Sequence, residues 1–87
     1  MRNAVRVSPV DNVAVAVRPI VRGEEVQISG IPPVIAREDV PLGHKVALTD
    51  ILDGQPIVKY GEAILLARGE IASGQWVHNH NTRPVSV

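Results

Sequence analysis

The chain reads as an all-β domain of short strands with little helix, for three reasons. Its apolar content is 45% yet only 2% aromatic, with no phenylalanine, and rests on 15 valines and eight isoleucines against five leucines. β-Branched side chains suit pleated, half-buried strands and lose rotamer freedom in helices. Seven glycines and seven prolines cut the chain into short pieces, and no stretch keeps a helical period over the roughly 11 residues an amphipathic helix needs. The 87 residues make one domain, 1–87, too apolar for disorder. A chain of this size buries only about 60–65% of its unfolded surface, so it is expected to draw stability from a partner.

The elements follow in order. Val5, Val7 and Pro9 lead to a turn at Asp11-Asn12. Val13, Val15 and Val17 then alternate with alanines, placing the valines on one strand face with both faces covered. Glu25-Val26-Gln27-Ile28-Ser29 alternates as a one-sided strand should, and Gly30-Ile31-Pro32-Pro33 breaks it. Further short strands are expected at Val46-Ala47-Leu48-Thr49, Ile57-Val58-Lys59-Tyr60 and Ala63-Ile64-Leu65-Leu66-Ala67. Arg37-Glu38-Asp39 is too short for a helix.

An internal repeat organises these pieces. The pattern acidic–apolar–x–x–Gly–x–x–apolar runs from Asp39 to Val46, from Asp50 to Ile57 and from Glu70 to Val77, with a weaker copy from Pro19 to Val26. Its glycines stand at 23, 43, 54 and 74, and the palindromic gaps of 20, 11 and 20 suggest two similar halves. Each glycine supplies a turn between two apolar anchors. No helix follows these glycines, so they are punctuation rather than a phosphate cradle.

Composition excludes several functions. Nine basic residues balance nine acidic ones at a pI of about 6.8, which speaks against nucleic-acid binding. The absence of cysteine removes disulfides, thiolate metal sites and cysteine nucleophiles. No apolar run reaches the roughly 18 residues of a membrane span and no signal peptide opens the chain, so a cytoplasmic protein without membrane contact is expected.

Few side chains could carry chemistry. In His78-Asn79-His80-Asn81-Thr82 an extended backbone would put both imidazoles on one face. There they could share a metal or grip an anion, although two ligands do not complete a site; the alternative is an idle polar strand end. His44-Lys45 follows Gly43: Lys45 could attract a carboxylate and His44 could carry a proton near neutral pH, or the pair could be a solvated turn. Tyr60 and Trp76, each the only one of its kind, read as packing anchors with a polar tip. A complete active site is not visible.

Taken in order, the strings Asp11 to Val17, Val40-Pro41-Leu42-Gly43-His44-Lys45-Val46-Ala47-Leu48, Ile57-Val58-Lys59-Tyr60-Gly61-Glu62-Ala63-Ile64 and Gly74-Gln75-Trp76-Val77-His78-Asn79-His80-Asn81 resemble the N-terminal region of altronate and galactarate dehydratases. The similar unit is an SAF domain, a β-clip fold, and the match covers about residues 11–82. The resemblance implies a small SAF-domain subunit of a hydroxy-acid lyase, inactive alone, that completes the active site of a separate large catalytic subunit acting on a sugar acid. Small subunits of (2R)-sulfolactate sulfo-lyase share this layout; both chemistries remove a β-substituent after loss of an α-proton. A divalent metal, iron foremost, is implied in the assembled enzyme. The matching polar positions are His44, Lys45, Lys59, Tyr60, Glu62, His78, His80 and Asn81. Of these His44, Lys45, His78, His80 and Asn81 are expected near substrate or metal, with His78 and His80 the metal-facing pair; no residue is assigned a catalytic role. Leu65-Leu66 and Arg68 depart from the family pattern. Two other outcomes are a non-catalytic module that binds carbohydrate or protein, and a homo-oligomer built on strand edges.

Overall fold

A computed structural model describes residues 2–85. Among them the architecture is all-β: β1 (Ala4–Val5), β2 (Val13–Ala16), β3 (Glu25–Val26), β4 (Val34–Ile35), β5 (Lys45–Ala47), β6 (Pro56–Lys59), β7 (Glu62–Ala67), β8 (Trp76–Val77) and β9 (Thr82–Pro84). The one helical element among the described residues is a 3-10 turn, Asn79–Asn81. Three antiparallel sheets form, in the orders β1-β2-β5-β8, β3-β4 and β6-β7-β9.

The two halves suggested by the glycine spacing are present. Buried residues divide into two clusters whose members recur at a 31-residue offset: Ala16, Ile20, Val26, Ala36, Val40 and Val46 in one, Ala47, Ile51, Ile57, Ala67, Ile71 and Val77 in the other. Pairing repeats with the same offset. Ile20 and Val40 exchange backbone hydrogen bonds of 2.9 and 2.8 Å, and Ile51 and Ile71 exchange two of 2.8 Å. The register of β3 against β4, Glu25 to Ile35 and Val26 to Val34, returns as Pro56 to Leu66 and Ile57 to Leu65 in β6 against β7. Each repeat unit thus ends a segment on a buried anchor, turns through glycine and re-enters a strand. Burying one such isoleucine stabilises the fold by about 1.5–3 kcal/mol.

Four of these turns close tightly. The Gly74 N–H donates to the Ala47 carbonyl over 2.8 Å, its own carbonyl accepts from Arg37, and its φ is +90°. A Cβ at Gly74 would overlap the Ile35 carbonyl oxygen, so residue 74 is glycine for space as well as for conformation. This contact ties the fourth repeat unit of one half to β4 of the other.

Two asparagines do matching work in the two halves. The Asn3 side chain donates to the Glu25 carbonyl and accepts from the Gln27 N–H, both at 2.8 Å. The Asn12 side chain donates to the Pro56 carbonyl at 2.9 Å and accepts from the Val58 N–H at 2.8 Å, beside the register shift between Ile57 and Val58. Each amide replaces one rung of a strand ladder.

Some local expectations change. On β2 both faces are covered, but the strand ends before Val17: Val13, Ala14 and Ala16 are 1% exposed while Val17 is 50% exposed. Small side chains there let β2 pack closely over Ile20, Val26 and Val46 of the first cluster, whereas Val13 serves the second. Strand structure in the third segment stops at Val26, because the Asn3 side chain takes over the Gln27 N–H. The short strands β1, β4, β8 and β9 were not anticipated; two or three residues show no readable period.

Candidate functional site

The pairing of β5 with β8 builds the site. Lys45 faces Val77 and Val46 faces Trp76; one step further in this register sets His44 opposite His78. Side chains two apart share a face of a strand, so His44, Trp76 and His78 line one surface. The His44 and His78 ring centroids are 4.6 Å apart, and the indole of Trp76 stacks on His78 at 5.2 Å and 10°. The Trp76 Nε1–H donates to His44 Nδ1 over 3.1 Å.

His80 reaches the same indole by another route. The backbone at 78–80 is not one extended strand: after His78 it coils into the 3-10 turn Asn79–Asn81, which places the His80 ring 5.1 Å from Trp76. The Asn81 side chain makes this turn, accepting from the His78 N–H at 2.9 Å and donating to the Trp76 carbonyl at 2.8 Å. The Thr82 hydroxyl donates to the His78 carbonyl, and the Arg68 guanidinium to the carbonyls of Asn79 and His80 at 3.1 and 3.5 Å. Both functional groups of Asn81 are therefore engaged with backbone, as a frame for the histidines. Trp76 is the hub of the cluster: it packs against the first buried cluster and its Nε1–H is the polar tip expected of such an anchor, while its period-two spacing from His78 was the available signal for the stacking.

The model of the altronate/galactarate dehydratase SAF domain matches residues 2–84. The chain belongs to that family. The SAF domain is 46% identical over 79 residues to altronate dehydratase of Escherichia coli (strain K12), covering 91% of this chain and 16% of that protein. It is 36% identical over 83 residues to altronate dehydratase of Bacillus subtilis (strain 168), covering 95% of this chain and again 16% of the relative. It is also 42% identical over 48 residues to (2R)-sulfolactate sulfo-lyase subunit alpha of Paracoccus pantotrophus, covering 55% of this chain and 72% of that subunit. The chain spans about one-sixth of the length of the altronate dehydratases it matches.

In the SAF domain the cluster is electropositive. Burial, and then the charges of His44, Lys45 and His80, hold the His78 imidazole below its ordinary pKa. Burial and the ammonium of Lys59 do the same for Lys45. Each of these groups gains a proton less readily than it would in water, first because it is desolvated and then because the charged neighbours acting on it are basic. Lys59 lies over the ring of Tyr60, 4.9 Å from its centroid, at the β6–β7 hairpin tip, where Tyr60 and Gly61 both take positive φ. That tip is fastened by Asp11, whose carboxylate accepts from the N–H groups of Ser8, Tyr60 and Gly61 at 2.8–3.0 Å.

A divalent ion does not fit these residues by themselves. Among the described residues no three His, Cys, Asp or Glu side chains are grouped to hold a metal, whereas a bound ion takes at least three protein ligands even in open catalytic sites. Lys45 beside His78 adds repulsion toward a cation. An open groove of about 400 Å³ lined by Arg2, Glu25, Gln27, Ile28, Ser29, Ile31 and Pro33 contains none of the candidate residues. No helix among the described residues is long and apolar enough to cross a membrane.

Proposed function

We propose that this SAF domain is the small subunit of a cytoplasmic hydroxy-acid lyase of the altronate/galactarate dehydratase type, presenting half of an active site that a separate large catalytic chain completes. One observation carries this reading: His44, His78 and His80 gather at Trp76 on a partly exposed face, with the charge of Lys45 near enough to act on His78. That set can bind an anion but lacks the further ligands and the base of a whole site.

The chemistry suits the charge. Elimination from a hydroxy acid begins with loss of the α-proton, and the developing negative charge spreads into the carboxylate. Cationic and N–H groups waiting there lower the barrier. The Lys45 ammonium and the imidazoles offer such groups, and a bound carboxylate would relieve the repulsion that helps to lower the pKa values of Lys45 and His78. Were the assembled enzyme to hold a divalent ion, His78 and His80 would supply at most two of its ligands and the large chain would have to supply the rest.

A second reading, subunit of a sulfolactate sulfo-lyase, is favoured by coverage: the match takes in 72% of a sulfo-lyase subunit alpha but 16% of an altronate dehydratase. Co-expression with the large chain, followed by assays on altronate, galactarate and sulfolactate, tests both. The pair is expected to turn over one of them at a rate at least tenfold above either chain alone. Full activity of the large chain by itself would end the shared-site reading.

A further inference from the structure

We infer that Trp76 is a positioning residue that fixes the tautomer of His44, the neutral ring carrying its proton on Nε2, so that His44 is an oriented hydrogen-bond donor toward a hydroxy-acid oxygen. The argument starts from the indole, which can only donate. Its Nε1–H meets His44 Nδ1 at 3.1 Å, so Nδ1 keeps a lone pair. A neutral imidazole has one proton, which must then sit on Nε2. Protonating His44 would set one N–H against another and break the contact. Ligating a metal through Nε2 would need the proton on Nδ1, with the same result. The arrangement therefore opposes metal binding through Nε2 and leaves, in the neutral ring, an Nε2–H donor of the kind that polarises an oxygen while keeping its hydrogen.

The main chain of Trp76 is fastened on both sides. Its backbone N–H donates to Glu38 Oε2 at 3.0 Å, and its carbonyl accepts from Asn81 at 2.8 Å. One side of the ring packs on the first buried cluster while His78 stacks against it. His44 is in turn fixed from its backbone, its carbonyl accepting from the Ala16 N–H at 2.9 Å.

The tautomer stands on geometry alone; the ligand rests on the function proposed above, and the experiment separates the two. Long-range nitrogen–proton correlation spectra of the full chain, recorded where His44 is neutral, are expected to show a single Nε2–H form for His44. In Trp76→Phe, which keeps a ring beside His78 but has no N–H, both tautomers are expected. An Nδ1–H form in the unaltered chain, or an unchanged single form in Trp76→Phe, overturns the lock; the first of these needs no variant to fold. In the assembled enzyme His44→Gln, which can donate but cannot carry a proton, is expected to keep about tenfold more activity than His44→Ala. Equal loss in both overturns the donor role. Full activity in both, beside a confirmed tautomer, overturns the function assigned to this face and leaves the lock intact.

Discussion

His44 and His78 sit opposite one another across β5 and β8, with ring centroids 4.6 Å apart. Two imidazoles at that distance resist sharing positive charge, and the charge of Lys45, next to His44 in sequence, adds to the resistance at His78. On the function proposed above, the pair would receive an anion.

Removing that neighbouring charge should be visible directly. In Lys45→Met the His78 pKa is expected to rise toward its ordinary value, because one of the positive charges that disfavours its protonation is gone. The sign for stability follows from the depressed folded pKa. His78 contributes stability above its unfolded pKa of about 6.5, and this is lost as pH falls through the lower folded value. Titration of the imidazole resonances in both chains checks the shift; an unchanged or lower pKa in the variant would contradict it.

Asp11 is expected to matter in a different pH range. Burial raises its pKa, but hydrogen bonds from the backbone of Gly61, Ser8, Tyr60 and Val7 outweigh this and leave the carboxyl below its ordinary value. Its contribution is present above an unfolded pKa of about 3.9 and disappears as pH falls through the depressed folded pKa. Asp11→Asn should cost about 2 kcal/mol near neutrality, read from urea unfolding midpoints, with the gap between the two chains closing in acid.

Glycine substitutions should separate conformation from space. Gly23→Ala meets nothing within 4 Å at φ +93°, so it should cost about 1–2 kcal/mol for the left-handed backbone alone. Gly74→Ala adds an overlap with the Ile35 carbonyl oxygen and should cost about 3 kcal/mol or more, strain included. Equal destabilisation of the two variants in denaturant titrations would mean that the Gly74–Ile35 approach contributes nothing.

Arg68 offers a test of the frame around the histidines. Its guanidinium is exposed but caps the carbonyls of Asn79 and His80. Arg68→Ala should leave the melting temperature within a few degrees while lowering the rate of the assembled enzyme about tenfold, since small misplacement of a binding group is costly. A rate equal to that of the unaltered enzyme would show that the turn holds without the cap.

The β-class, the two halves and the glycine turns could be read from the chain before any coordinates, because they rest on local physics: β-branched composition, turn residues and a spacing of 20, 11 and 20. His44, Lys45, His78, His80 and Asn81 could be named as well, from ordered short strings. Their arrangement could not. The facing of His44 and His78 depends on a register between strands that are 32 residues apart in sequence (Lys45 to Val77). The capping role of Arg68 and the engagement of both Asn81 groups depend on a three-residue turn with no periodic signal. Side-chain type and spacing are properties of a segment. The partner of an indole N–H is a property of two segments brought together, and for that reason the donor of His44 emerged only once the strands were paired.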